Sequence, residues 1–236
     1  MNNKQKSQNL SSRKIINAAI VLFANKGYES TTTREICKYA EVNLSLISYY
    51  FKNKEGLYLS IIESIVNYGL TFLKDDIEKA NDILSMSYQE KTKLLLSLLE
   101  KYTTFLYSES VPNNFVILML KEQTLSKSQF GDLYSKKIQL FYQALRKILA
   151  SILGRKEDDK AVIFEVSSMV GEILSFKLMD KATLLPLKQS EYTKEDTAQI
   201  KKIILSHIKN NLEALGVKLN LAAVRWRIWF ESCNTH

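Results

Sequence analysis

Proline and glycine are scarce in this chain, with 2 Pro and 7 Gly among 236 residues. Tight turns draw on those two residue types, so sandwiches, barrels and doubly wound sheets are disfavoured, whereas long helices are not. Cysteine is as rare. Cys37 and Cys233 are the two in the chain, and their wide separation fits a reduced, cytoplasmic protein better than a disulfide framework. No run of about 18 uninterrupted apolar residues occurs, which argues against a membrane span. The opening segment MNNKQKSQNL is polar and lacks the apolar stretch of a signal peptide. No catalytic triad, phosphate-binding loop or metal-ligand cluster is legible, so neither an enzyme, a cofactor nor a metal is expected.

What is present suits an all-α protein. Hydrophobic residues make up 46% and charged residues 25%, an ordinary globular balance, and the length suits one large domain or a small domain joined to a larger one. The net charge of +8 is unevenly spread. Residues 1–58 carry nine Lys and Arg against four Glu, a surplus of five, while 59–216 are close to neutral. A basic head on a neutral body points to a polyanion partner.

Residues 1–10 read as a disordered arm. Ser11 or Ser12 is placed to cap a first helix with Ile15, Ala19, Leu22 and Phe23 at helical spacing, stopped by Gly27. A second helix begins near Thr33 and ends near Ala40. A turn through Asn43 then leads to a third, short helix over about 44–50, and Lys54-Glu55 opens a long fourth. Beyond it, helical patterns cover about 88–108, a segment after Pro112, about 130–153, a helix opened by Glu157-Asp158-Asp159, and, after a loop at Pro186, a last helix from about Thr193 to Gly216. The basic, aromatic stretch from Val224 to Phe230 makes 217–236 an atypical tail. A non-native extension and a surface for a membrane or subunit are its two readings.

Residues 33–51, TREICKYAEVNLSLISYYF, have the form of a helix-turn-helix. Ile36, Ala40, Val42, Ile47 and Phe51 supply a small core, leaving Leu44, Ser45, Ser48 and Tyr49 on or near the outward face, where a second helix enters a major groove. The stretch from Gly27-Tyr28 through Thr32-Thr33-Arg34-Glu35-Ile36, Ala40-Glu41-Val42-Asn43 and Ile47-Ser48-Tyr49-Tyr50-Phe51 to Lys52-Asn53-Lys54-Glu55-Gly56-Leu57 resembles the DNA-binding domain of the TetR family. The resemblance implies nine or ten helices, a homodimer, binding to a double-stranded operator, and repression relieved by a small apolar or amphipathic effector.

On this reading Thr33 offers hydroxyl and backbone N–H groups to a phosphate, Arg34 reaches the backbone or a base, and Tyr49, Tyr50 and Lys54 contact phosphates. Leu44, Ser45 and Ser48 are the candidates for base edges, Leu44 against a thymine methyl. For each tyrosine the competing assignment is packing against the first helix. Glu41 stands where the family usually has Gly, and Ser48 and Tyr50 replace an aromatic and a His common there.

The later sequence ALRKILASILGRKEDDKAVIFEVSSMVGEILSF, with the head residues Asn43-Leu44, Tyr49 and Lys54-Glu55-Gly56-Leu57-Tyr58, resembles CecR-type regulators. That likeness implies control of efflux or drug-tolerance genes. Ser167, Gly171 and Ser175 recur every four residues and, with Ile204, His207 and Ile208 of the last helix, are the candidates for a dimer interface, close packing inside one subunit being the other reading. Phe105, Phe115, Met119, Phe141 and Tyr142 are candidates for an apolar effector pocket, and plain core is the alternative. The domain expectation is a helix-turn-helix head over 11–58 joined by a long helix to a ligand-binding and dimerisation body over 59–216. The rival from another class is a helical adaptor that uses the helix-turn-helix without DNA.

Overall fold

A computed structural model describes residues 3–109, 111, 113–124 and 131–219. Cys233, Pro112 and the tail from 220 onward lie outside the described residues. The described elements are helices α1 (Asn3–Lys26), α2 (Thr33–Ala40), α3 (Ser45–Phe51), α4 (Lys54–Lys79), α5 (Tyr88–Leu106), α6 (Asn113–Thr124), α7 (Gly131–Leu153), α8 (Lys160–Leu178), α9 (Asp180–Leu187) and α10 (Lys194–Ala214), with a 3-10 segment, Ala80–Ser85, after α4. Among the described residues there is no strand.

Most helix ends follow from local chemistry. Gly27, Gly154 and Gly216 adopt left-handed backbone, with φ of 85°, 65° and 82°, at the ends of α1, α7 and α10, the conformation glycine takes without steric cost. Capping boxes open three helices: Thr32 with Glu35 at α2, Ser87 with Glu90 at α5, and Thr193 with Asp196 at α10. Asp159 caps α8 by accepting from the Ala161 amide at 2.8 Å, so the acidic run precedes that helix rather than opening it.

Three features depart from the sequence expectations. Residues 3–10 continue α1 instead of forming a disordered arm. Helix propagation from the docked segment Ile15–Phe23 adds a hydrogen bond per residue without a new nucleation cost, and no Gly or Pro interrupts it. Pro186 lies in the last turn of α9 rather than in a loop, exposed, where the carbonyl its missing N–H leaves unpaired can be hydrated. The boundary also moves.

The described residues up to Phe72, with those between Ser108 and Gln139, form one compact unit, and Leu73–Tyr107 with the described residues from Leu140 onward forms a second. The division therefore falls inside α4 rather than at residue 58, and α6 belongs with the head because it packs on α1. The head core gathers Ile15, Ala19 and Phe23 of α1, Ile36 and Ala40 of α2, Ile47 of α3, and Leu57, Ile61 and Ile62 of α4. Each of the Ile, Leu and Phe side chains among them contributes about 1.5–3 kcal/mol on burial. By length and composition alone, Lys54–Ser85 is apolar enough to cross a membrane. Leu57, Ile61, Ile62, Ile65, Val66 and Leu73 form a buried stripe, however, while Glu55, Glu63, Lys74, Asp75 and Glu78 are exposed, as are Tyr68, Phe72 and Leu84, so the segment is an amphipathic helix with some apolar side chains left outside.

In the second unit, Asp76 of α4 is 2% exposed. Its carboxylate accepts from the Ser97 hydroxyl at 2.7 Å and faces Lys101 Nζ at 2.9 Å. A buried charge needs such partners, and these tie the end of α4 to α5. Tyr107 donates to the Ile173 carbonyl at 2.8 Å, and burial pushes its phenol well above the ordinary range.

Candidate nucleic-acid interface

The turn between α2 and α3 begins with the Schellman pattern: the Val42 amide donates to the Cys37 carbonyl at 3.0 Å and the Glu41 amide to Lys38 at 3.3 Å. Glu41 holds the left-handed position, at φ 54° and ψ 49°. A Cβ costs about 1–2 kcal/mol there, so the missing glycine is felt as backbone strain. The buried Cys37 thiol lies 3.8 Å from the Asn43 carbonyl, and burial raises its pKa. Asn43 then caps α3, its side-chain oxygen accepting from both the Ser45 amide and the Ser45 hydroxyl at 2.9 Å.

The first turn of α3 faces outward. Leu44 is 43% and Tyr49 68% exposed, and Ser45 and Ser48 are exposed beside them. Ile47, 2% exposed, anchors the opposite side. Tyr50 is half-buried, its ring 4.9 Å from Tyr49 in an edge arrangement and 6.0 Å from Phe51. Ser45 reaches the outward face with its proton already given to Asn43, which leaves it to act there as an acceptor.

At the start of α2, the Thr32 hydroxyl accepts from the Glu35 amide at 3.2 Å, and Glu35 accepts from the Thr32 amide at 2.9 Å. Thr33, half-buried, and Arg34, exposed, stand in the first turn, where amide groups point along the positive end of the helix dipole. Lys26 Nζ lies 2.8 Å from Glu35. That contact, with the two bonds from Thr32, lowers the Glu35 carboxyl to about 2.

Lys54 departs from its expected role. Its ammonium donates to the carbonyls of Tyr28 at 3.0 Å and Thr31 at 3.1 Å and sits 4.2 Å from the centre of the Tyr28 ring. Tyr28 packs in turn on Phe23 and Tyr58, with ring centres 5.7 and 4.9 Å away. The buried Thr31 hydroxyl donates to the Gly27 carbonyl at 2.8 Å. Lys54 is therefore a clamp between the first turn of α4 and the α1–α2 loop, half-buried, with two of its three N–H groups given to those carbonyls.

The α3–α4 link is two residues, Lys52 and Asn53, of close backbone. A Cβ on Gly56 would collide with the Phe51 carbonyl, and Asn53 caps α4 by accepting from the Gly56 amide at 2.7 Å. Lys52, in this link, has φ 70° and is exposed. Lys38 and Tyr39 of α2 are also exposed, Tyr39 by 60%. Sequence reasoning passed over Lys38, Tyr39 and Lys52. Position beside the motif was the one signal that could have marked them.

Outside the head, Phe105 and Phe141 are buried, Phe141 with its ring 4.5 Å from Tyr102 and 5.8 Å from Tyr142. Tyr142 is half-buried, and its phenol is raised by burial. Phe115 and Met119 are buried too, but they belong to the head unit, so the five candidate pocket residues do not share one unit. Ile204 and Ile208 are also buried, at 0% and 1% exposed. They fill the core of their own unit, which removes them from any outward interface. Ser167, Gly171 and His207 are exposed and Ser175 is half-buried. His207 Nδ1 lies 2.7 Å from Glu172, joining α10 to α8.

Residues 15–61 match the family model for bacterial regulatory proteins of the tetR family, and residues 92–215 match that for the C-terminal domain of the HTH-type transcriptional dual regulator CecR. The chain belongs to the TetR family. Within it, this regulator is 24% identical to the dual regulator CecR of Shigella flexneri over 206 residues, 86% of this chain and 92% of that protein. It is 34% identical to the biofilm operon icaADBC negative transcriptional regulator IcaR of Staphylococcus epidermidis over 89 residues, 38% of this chain and 48% of that one. Among solved structures it resembles a Clostridium perfringens putative fatty acid metabolism regulator, with a TM-score of 0.54, 24% identity, and coverage of 82% of this chain and 97% of the other. It also resembles AibR, solved with isovaleryl coenzyme A and operator DNA, with a TM-score of 0.55, 17% identity and coverage of 84% and 97%. The regulator is thus a DNA-binding transcriptional regulator built on a helix-turn-helix, and not an enzyme.

Proposed function

We propose that this regulator is a cytoplasmic homodimeric repressor that binds its operator through α3 and is released by a small amphipathic effector. The observation that carries the operator reading is the outward face of α3. Four side chains able to read base edges or hold phosphates, Leu44, Ser45, Ser48 and Tyr49, stand exposed on a helix anchored by Ile47 and capped by Asn43. Arg34 and the opening amides of α2 add phosphate contacts. Two such heads on a dimer meet successive major grooves about 34–36 Å apart.

The dimer reading rests on α8. One stripe of that helix, Val162, Val166, Met169, Val170 and Ile173, is buried within its own unit. Its other side exposes Phe164 by 68% and Met179, just beyond its end, by 63%, with Ser167 and Gly171 between them. A helix apolar on both sides has a second surface to bury. A small-molecule effector is in keeping with the likeness to AibR, solved in complex with isovaleryl coenzyme A and operator DNA, and release by that effector is what the family resemblance implies. Control of efflux genes follows the likeness to CecR-type regulators. A ligand releases DNA only as far as it binds the released state more tightly.

The test is a gel shift with the DNA upstream of the regulator's own gene and excess random competitor. A discrete band, lost in Tyr49→Ala and in Ser48→Glu, supports operator reading by α3. A band unchanged in both variants would remove α3 from the contact surface.

A further inference from the structure

A cavity of about 620 Å³ opens in the second unit between the end of α4, the middle of α7 and the start of α8. None of the aromatic candidates for an effector pocket lines it. The apolar part of its lining, its floor, is Ile77, Ala80, Leu140, Ala144 and Ile163, of which Leu140 is 48% exposed. Its rim is charged in both signs: Arg146 and Lys147 from α7, Glu157 and Asp158 from the loop before α8.

These four charges do not satisfy one another, for no ion pair joins any of them to a described residue. The neighbouring pair, Arg155 with Asp159 at 3.3 Å, does close on itself. Lys147 has only a long contact, 3.5 Å, to the Asn81 carbonyl. The volume lies within the roughly 300–1,000 Å³ of sites that take drug-sized ligands. An anion alone would meet the two carboxylates, and a cation alone would meet the guanidinium and ammonium. A neutral apolar molecule would cover charged groups without pairing them, which is costly.

We infer that this cavity binds a zwitterionic amphiphile, with its anionic group toward Arg146 and Lys147, its cationic group toward Glu157 and Asp158, and its apolar part on the floor. Binding stands apart from the effector-release reading. Only an effect of this ligand on operator affinity would rest on that reading.

The experiment is calorimetric titration of the full chain with three eight-carbon probes below their micellar range: octylphosphocholine, octyltrimethylammonium and octanesulfonate. The zwitterion is expected to bind one site per chain at least tenfold more tightly than either singly charged probe. Arg146→Gln and Asp158→Asn should each weaken it about fivefold or more. Gln143→Trp, at an exposed lining position, should obstruct part of the cavity and weaken binding while the melting temperature holds. Equal affinity for the three probes, or binding that Gln143→Trp leaves undiminished, would overturn the proposal. Operator gel shifts on the parent chain separate the two readings: intact DNA binding without zwitterion binding sinks the site alone, and zwitterion binding without operator binding counts only against the proposed function.

Discussion

Replacing Lys54 with methionine keeps most of the aliphatic stem and removes the ammonium. Two hydrogen bonds from a charged donor, to the carbonyls of Tyr28 and Thr31, are lost, together with the contact over the Tyr28 ring. Hydrogen bonds to charged groups contribute about 1.5–3 kcal/mol each when protected and a cation–π contact about 0.5–1 kcal/mol. Because Lys54 is half-buried and water can reach part of the site, about 2–4 kcal/mol in total is the reasonable loss. For a chain of this size each kcal/mol moves the midpoint by about 2–4 °C, so the melting temperature should fall by roughly 5–15 °C. The decisive assay adds operator affinity measured over a range of salt. A lysine that neutralises a phosphate contributes about 0.9 to the slope of log affinity against log salt, hence nearly 2 in a dimer. The clamp predicts weaker binding, from a loosened head, with the slope unchanged. A melting temperature unaltered within about 2 °C, with a slope shallower by about 2, would refute the clamp and restore Lys54 to the phosphates.

Glu41→Gly should raise stability by about 0.5–1 kcal/mol, since relief of the left-handed strain exceeds the added freedom of the unfolded chain; a lower melting temperature would count against the strain. Removing that carboxylate should also strengthen operator binding, most visibly at low salt. Glu35, whose carboxyl is held at about 2, stabilises the head fully above its ordinary value of 4.5, and this contribution disappears as pH falls through about 2. Thermal melts across that window should therefore show a pH dependence that Glu35→Gln flattens. Asp76→Ala, which strips Ser97 and Lys101 of their shared acceptor, should cost about 2–3 kcal/mol. A melting temperature within 2 °C of the parent would show that the cluster contributes little.

Much of this molecule is legible along the chain because its decisive interactions span four residues or fewer. The Thr32–Glu35 and Thr193–Asp196 boxes, the Asn43 cap and the glycines at 27, 154 and 216 mark helix ends by local hydrogen bonding and backbone freedom. The helix-turn-helix and its outward residues follow from that punctuation and from the spacing of Ile36, Ala40 and Ile47. Other assignments depend on partners distant in sequence. Lys54 meets the carbonyl of Tyr28 across 26 positions, a distance over which no sequence pattern tells an engaged ammonium from a free one. Ile204 and Ile208 carry the same apolar side chains whether they face their own core or a second subunit, and packing alone turned them inward. The association of α6 with the head and the meeting of Arg146, Lys147, Glu157 and Asp158 around one cavity likewise required the fold. Sequence determines which surfaces a helix possesses; tertiary packing decides which of them remain free to bind.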